Sequence, residues 1–416
     1  MGSSSNSVFQ CFLFMMFMFL YGNQQVQAAA ANLFNVLQYG ASGDGKTDNS
    51  KAFTNAWKQA CQSGGNSVVL IPLGTYLVLP TVFQGPCKGA IAFQVKGVLR
   101  APTDAASLHL DHWISFRYID RLTITGGGSL DGQGASAWPY NTCLTDPNCP
   151  PFPVTLRFDF VTNSWINHIT SINSKNFHFN IFASTNIRIH QVNISAPGDS
   201  PNTDGIHIGD STGIHISDSE IATGDDCVSM GPGSQNINIT NVHCGPGHGF
   251  SVGSLGKSPN EKDVAGVTVR NCTLTGTLNG LRIKTWSPSH SSRCSDVTFE
   301  HVNVENVNNP IFIDQNYCPS HKCGRQWESR VKIQGVRFRN IWGSSSSRIA
   351  VNLQCSRSTP CENIELRNIN IDYNAGGGGA TAAAAASSCS NVHGVAYGQQ
   401  HPPSCMWKSF STMSAQ

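Results

Sequence analysis

Residues 187–192 read IRIHQV, 237–242 INITNV, 267–272 VTVRNC, 297–302 VTFEHV, 336–341 VRFRNI and 364–369 IELRNI. Each stretch runs apolar, any, apolar, any, any, apolar, and Ile214 with Ile216 opens a further, imperfect copy. From Ile187 to Ile364 the start-to-start distances are 27, 23, 30, 30, 39 and 28 residues. Alternation of period two makes a strand with one buried face, and apolar positions that do not recur at three and four exclude an amphipathic helix. One strand cannot bury that face alone, so copies at this spacing predict coils that stack on one another. Between the copies runs a second alternation: Gly205-Ile206-His207-Ile208, Cys227-Val228-Ser229-Met230, Gly249-Phe250-Ser251-Val252, Gly280-Leu281-Arg282-Ile283 and Pro310-Ile311-Phe312-Ile313. Each coil therefore has at least two strands, and the expected fold is an all-β, single-domain parallel β-helix. Its first coil needs a lid over the open sheet edge. Ala52, Phe53, Ala56, Trp57 and Ala60 share one helical face where that lid belongs, with Asp48 or Thr47 as the expected cap.

Composition agrees with a turn-rich β fold. Of 416 residues, 12% are charged and 40 are glycine, which argues against a helical bundle or a disordered chain. A net charge of +2 supplies no global field for nucleic acid, so attraction to an acidic substrate must come from a local patch. Val8 to Tyr21 is an apolar run too short to span a bilayer, followed by a polar stretch and Val26-Gln27-Ala28, which fits a small-residue cleavage site. Residues 1–28 are read as a signal peptide and 29–416 as the mature domain, with secretion to the extracellular space or cell wall and no membrane span. Cys11 lies in that leader, leaving 14 cysteines, an even number that predicts disulfides in an exported protein. Cys143 with Cys149, Cys318 with Cys323, Cys355 with Cys361 and Cys389 with Cys405 are close in sequence, and Cys227 with Cys244 would lie on successive coils. Sequons at Asn193, Asn238 and Asn271 fit export. The alanine- and glycine-rich stretch from Ala375 to Ala386 reads as a loop or insertion.

Chemistry-bearing residues fall into the same register. Asp204, Asp226 and His248 are 22 residues apart, and each immediately precedes the second strand of its coil. If 22 residues make one coil, they stack in a column about 4.8 Å apart, with Asp225 beside Asp226. The next coils supply Arg282 and Lys284, then Tyr317. Taken singly, Asn202-Thr203-Asp204-Gly205 is a turn, Gly224-Asp225-Asp226 a solvated turn or a calcium-ligand pair, and Arg282 with Lys284 an exposed strand face. Convergence on one column is what the single readings do not explain. Crowded carboxylates raise at least one pKa, which suits glycoside hydrolysis, where one carboxyl protonates the leaving oxygen and another activates water or attacks. Two cations beside them fit a sugar that carries a carboxylate.

The motifs NTDGIHIG at 202–209, TGDDC at 223–227, CGPGHGFSVGSLGK at 244–257, RIKTW at 282–286 and IDQNYC at 313–318 resemble glycoside hydrolase family 28, the polygalacturonases, and similarity extends from 34–48 to the last cysteines. The resemblance implies a right-handed, pectin-lyase-like β-helix and inverting hydrolysis of α-1,4 bonds in polygalacturonate or pectin without metal or cofactor. It implies Asp225 as general acid, Asp204 and Asp226 as the pair that activates water, and His248 as the group that tunes the acid. Arg282 and Lys284 would grip a substrate carboxylate, with Asn202 and Tyr317 lining the cleft. The chain is expected to act as a monomer, with the polysaccharide and no nucleic acid as partner. The stretches 83–89, 260–266 and 287–294 look like pollen-type exopolygalacturonases, while Met230-Gly231-Pro232-Gly233 departs from the usual Gly-Asp-Gly, so exo action is favoured over endo. Two rivals stay open. A calcium-dependent pectate lyase would give an ultraviolet-absorbing product sensitive to chelator. A non-catalytic pectin-binding wall protein would release no reducing ends.

Overall fold

The two unconstrained positions in each sequence repeat are where the chain turns a corner. The second of them, at Gln191, Asn241, Asn271, His301, Asn340 and Asn368, has φ between 51° and 55°, and Asp218 does the same at 50°. A left-handed residue shifts the alternation by one, so Val192, Val242, Cys272, Val302, Ile341 and Ile369 all point back inside. Asn and Asp adopt this conformation at least cost, and their side chains can link one coil to the next. Asn368 donates to Asn340 at 2.8 Å, and Asn340 contacts His301 Nε2 at 3.2 Å.

A computed structural model describes residues 31–406, apart from 105–109, 144, 145, 147, 148, 150, 320–322, 324–327 and 375–383. Among the described residues the strands form a 19-stranded and an 11-stranded sheet, coiled as a right-handed parallel β-helix. The repeat positions lie in register from coil to coil: Ile187 beside Ile214, then Ile237, Val267, Val297, Val336 and Ile364. All are buried. The interior is thus a set of apolar columns, one side chain per coil, with Phe299 stacked on Phe338 at 5.2 Å. The sequon asparagines Asn193, Asn238 and Asn271 are exposed on strands of the larger sheet.

The lid is helix α1 (Ser50–Gln62), whose Ala52, Phe53, Ala56, Trp57, Ala60 and Cys61 are buried. Phe53 packs on Phe93 and Tyr76, and Trp57 on Phe83, Phe93 and Phe116. The helix begins one residue later than expected. Asn49 is the N-cap, and its side chain goes instead to the backbone of Ser42, Thr47 and Leu77. Asp48 still serves the helix, accepting from the Ser50 amide at 2.9 Å, whereas the Thr47 hydroxyl donates to Asp44.

Among the described residues six disulfides form: Cys61–Cys87, Cys143–Cys149, Cys227–Cys244, Cys318–Cys323, Cys355–Cys361 and Cys389–Cys405. The even count misled at two positions. Cys272 and Cys294 are unpaired thiols buried in the core, where burial pushes each thiol pKa up to about 12. They serve as small apolar residues, Cys272 stacking beside Val302 and Cys294 beside Val264 and Ile333. The leader 1–28 and residues 375–383 of the alanine-rich stretch lie outside the described residues. No helix among the described residues is long and apolar enough to cross a membrane.

Candidate active site

The smaller sheet carries the site on its outer face. Its central strands are β1 (Phe179–Phe182), β2 (Ile206–Gly209), β3 (Val228–Met230), β4 (Phe250–Leu255), β5 (Asn279–Trp286) and β6 (Asn309–Tyr317). Ile206, Val228, Phe250, Leu281 and Ile311 lie side by side and point into the core. Alternation then turns the next residues outward, so His207, Ser229, Ser251, Arg282 and Phe312 form a row across five coils. Asp204 and Asp226 stand at the entrances of β2 and β3, with His248 in the matching place before β4. The expected 22-residue column is therefore present in the backbone.

Side chains within that column take different partners. Asp226 is buried and accepts from Ser251 Oγ at 2.7 Å, from Arg282 at 2.9 Å and from Lys284 Nζ at 2.7 Å. Asp204 is also buried and accepts from Ser229 Oγ at 2.6 Å. Asp225 is more open. His248 Nδ1 lies 2.9 Å from its Oδ1, and the Asn202 amide approaches its Oδ2 at 3.5 Å. Asn202, at φ 55°, is itself held by Asn141. Tyr317 edges against Trp286 at 5.3 Å, and Lys284 Nζ sits 5.3 Å from the Tyr317 ring centre. All eight sequence-predicted residues thus converge on one surface.

Three details differ from expectation. First, Arg282 and Lys284 are not free cations awaiting a substrate carboxylate. They are buried and ion-paired with Asp226. Second, the electrostatics favour a proton on Asp204 over one on Asp225, the residue the resemblance makes the acid. Burial raises Asp204 well above the usual carboxylate range, and the charges of Asp225 and Asp226 add to this. At Asp225 burial pushes upward too, but the His248 hydrogen bond and the nearby positive charges outweigh it and hold the group at about 2. Third, Asp225 and Asp226 stand closer together than the acid and base of the inverting hydrolysis that the resemblance implies usually do. Oxygens of both lie within 4.8 Å of each other and of a His248 ring nitrogen. That group has metal-ligand spacing, but both Asp226 oxygens already accept from fixed cations, which disfavours a divalent ion there.

Four residues of this face escaped the sequence reading. Ser229 and Ser251 hand hydrogen bonds to Asp204 and Asp226, and His207 contacts Ser229 at 2.7 Å. The signal was available, because His207, Ser229 and Ser251 follow Asp204, Asp226 and His248 by three residues each. The fourth is Asp314, paired in register with Lys284, whose pKa burial raises.

Rigid backbone holds these groups in place. The Cys227–Cys244 disulfide adjoins Asp226. A side chain on Gly224 would meet Ser200 O at 2.0 Å, so only glycine lets the Asp225 turn lie against the preceding coil. The His248 amide donates to Asp225 O at 2.7 Å, tying the third coil to the second.

Comparison with known proteins settles the family. The model of glycosyl hydrolases family 28 matches residues 61–405. The chain belongs to that family. Within family 28 it is 48% identical over 375 residues to an exopolygalacturonase of Platanus acerifolia, covering 90% of this chain and 98% of that one. It is 44% identical over 403 residues to a polygalacturonase of Gossypium barbadense, covering 97% of each. The fold matches the crystal structure of a hyperthermoactive exopolygalacturonase from Thermotoga maritima with a TM-score of 0.68 and 21% identity, over 82% of this chain and 89% of that one. This family 28 chain is thus a glycoside hydrolase of the plant polygalacturonase type.

Proposed function

We propose that this hydrolase cuts α-1,4 bonds between galacturonic acid residues of pectin, working from chain ends, outside the cell and as a monomer after loss of residues 1–28. The observation that carries the substrate is Asp226 locked between Arg282 and Lys284 beside Asp204 and Asp225. Asp226 offsets only one of the two positive charges, and the charge left over suits a uronate carboxylate, whereas a neutral sugar needs none. The lean toward exo action rests on relatives named exopolygalacturonase, at 48% and 46% identity.

In the mechanism proposed, Asp226, ion-paired with Arg282 and Lys284, orients the water together with Asp204. Asp225, the most open of the three, faces the leaving oxygen. In the free protein Asp204 holds a proton more readily than Asp225 does. Arrival of a uronate adds negative charge and excludes water, and both raise the Asp225 pKa until it takes the proton. His248 holds Asp225 in place and tunes it through their hydrogen bond. The cleavage consumes one water: its proton goes to the carboxylate base, and the Asp225 proton goes to the leaving sugar. Attack on the face opposite the leaving group inverts the anomeric centre.

The test is a reducing-end assay on polygalacturonate with and without chelator, with products sized by chromatography. Monogalacturonate from the outset, with slow loss of viscosity, is the expected result. An ultraviolet-absorbing product abolished by chelator would mean a lyase. Absence of reducing ends would mean a binding protein.

A further inference from the structure

The larger sheet, away from the acids, carries on its outer face an open cavity of about 440 Å³. Its floor is one outward row across four coils. Trp165 pairs in register with Arg188, Arg188 with His215, and His215 with Asn238. All four side chains are exposed. Trp165 leaves 44% of its surface open, and the Arg188 guanidinium sits 5.1 Å from its ring centre. A flat indole held in water on a strand is apolar surface that lacks a partner, and the groups beside it are hydrogen-bonding ones.

Asn238 is the second observation. It is the acceptor of the sequon Asn238-Ile239-Thr240, and both Asn238 and Thr240 line the cavity. The Thr240 hydroxyl donates to Asn238 Oδ1 at 3.0 Å, and no hydrogen bond among the described residues engages the Asn238 amide nitrogen. The other two sequons have different surroundings. Asn193 lies in register with Thr170 and Glu220, and Asn271 borders a cavity of about 350 Å³ with Asp218, Glu220 and His243. Neither set contains a Trp, Tyr or Phe, whereas Asn238 shares its cavity with Trp165. Charge narrows the occupant further. Asp218 also lines the Trp165 cavity, and the Asn241 hydrogen bond holds its carboxyl below the usual range, so it is ionised at mildly acidic pH. A polyuronate would bring a carboxylate on every sugar against that charge, whereas a neutral glycan core brings none.

We propose that Asn238 carries an N-linked glycan whose core lies in this cavity, its first sugars over His215 and Arg188 and a later pyranose face-down on Trp165. Three coil steps of about 4.8 Å put Trp165 about 14 Å from the attachment point, a span that a short sugar chain covers. Arg188 and His215 offer hydrogen bonds to sugar hydroxyls and N-acetyl groups along the way. The glycan braces four middle coils from outside and covers the indole. The inference rests on the export proposed above and not on the reaction.

The test uses the full chain secreted by a mammalian cell line. Glycopeptide mass spectrometry reads occupancy of Asn238, and peptide N-glycosidase acting on the native protein reads the rate of glycan release. Wild type should carry sugar at Asn238. Trp165→Ala should speed release from that site by about three- to tenfold, the worth of one aromatic contact. Asn238→Gln and Trp165→Ala should each lower the melting temperature by about 1 to 3 °C, and the double variant by no more than the larger single shift, since both remove the same contact. Polygalacturonate hydrolysis should keep its wild-type rate in both. A secreted wild type with bare Asn238, or equal release rates from wild type and Trp165→Ala, would overturn the proposal alone. Loss of polygalacturonate affinity in Trp165→Ala would give the cavity to substrate and overturn it too. A chain that stays inside the cell would overturn the export reading and the glycan with it.

Discussion

At the residue scale, the three carboxylates differ in what holds them, so their amide variants should differ. Asp204 binds its proton more tightly folded than unfolded. Its contribution to stability is present below the ordinary carboxylate pKa and is lost as pH rises through the raised folded value. Asp204→Asn, which stays neutral, should therefore melt above wild type near pH 7 and lose that advantage in acid, while turnover collapses. Asp225 has the opposite sign. Its depressed pKa makes its contribution present above the ordinary carboxylate value and lost as pH falls toward 2. Asp225→Asn should therefore lower the melting temperature at neutral pH and have little effect in strong acid. Calorimetric scans over a pH series check both. Asp226→Asn is the severe case, because it leaves Arg282 and Lys284 buried without a counter-ion. A loss of about 3 to 5 kcal/mol in denaturant unfolding is expected, in addition to lost activity. Arg282→Gln and Lys284→Gln should each weaken kcat/KM by about 2 to 5 kcal/mol. Full activity in both would remove them from substrate recognition.

At the scale of the element, the site depends on two things that keep short strands aligned. Strand β3 has three residues, too few to hold Asp226 by ladder bonds alone. The Cys227–Cys244 bridge, spanning 17 residues, pins its entrance to the following coil, at the end of the strand Gln235–Cys244. Replacing both cysteines with alanine should cost about 3 kcal/mol in unfolding free energy. It should lower kcat more than a disulfide far from the acids would, and the matched comparison is Cys389 with Cys405 in the last coils. The corner ladder is the second device. Asn340→Val puts a β-branched side chain at φ 52° and breaks links to His301 and Asn368. It should destabilise the chain, whereas Asn340→Gly should be tolerated better, as urea titrations of the two variants would show.

At the scale of the whole molecule, stacking extends the face that carries the acids along the axis, and function turns on whether a polymer can pass along that face or only its end can enter. If the chain works from polymer ends, viscosity should fall slowly while reducing ends accumulate. A rapid fall with few bonds cut would show internal cleavage. Proton NMR of the first product should show inversion to the β-anomer, and an α-configured product would mean a covalent intermediate. This test has weight because the Asp225–Asp226 spacing, within 4.8 Å, is tighter than the roughly 6.5 to 9.5 Å usual between an inverting acid and base.

The primary structure by itself determined the coil. Period-two alternation repeated every 23 to 39 residues leaves stacking as the one way to bury each strand, and it put Asp204, Asp226 and His248 in one column. The helix that closes the first coil was legible for the same reason, as a 3.6-residue apolar stripe beside an uncovered edge. Repeat spacing, however, sets the rise of the backbone and not the direction of a side chain. Only the tertiary structure decided that His248 turns to Asp225 and that Arg282 and Lys284 close on Asp226. It alone decided which of 14 cysteines stay reduced, because Cys272 and Cys294 occupy separate places in the core. It also made Asp204 readier than Asp225 to hold a proton, since a pKa depends on burial and on charges from several coils at once, which no local stretch of chain contains.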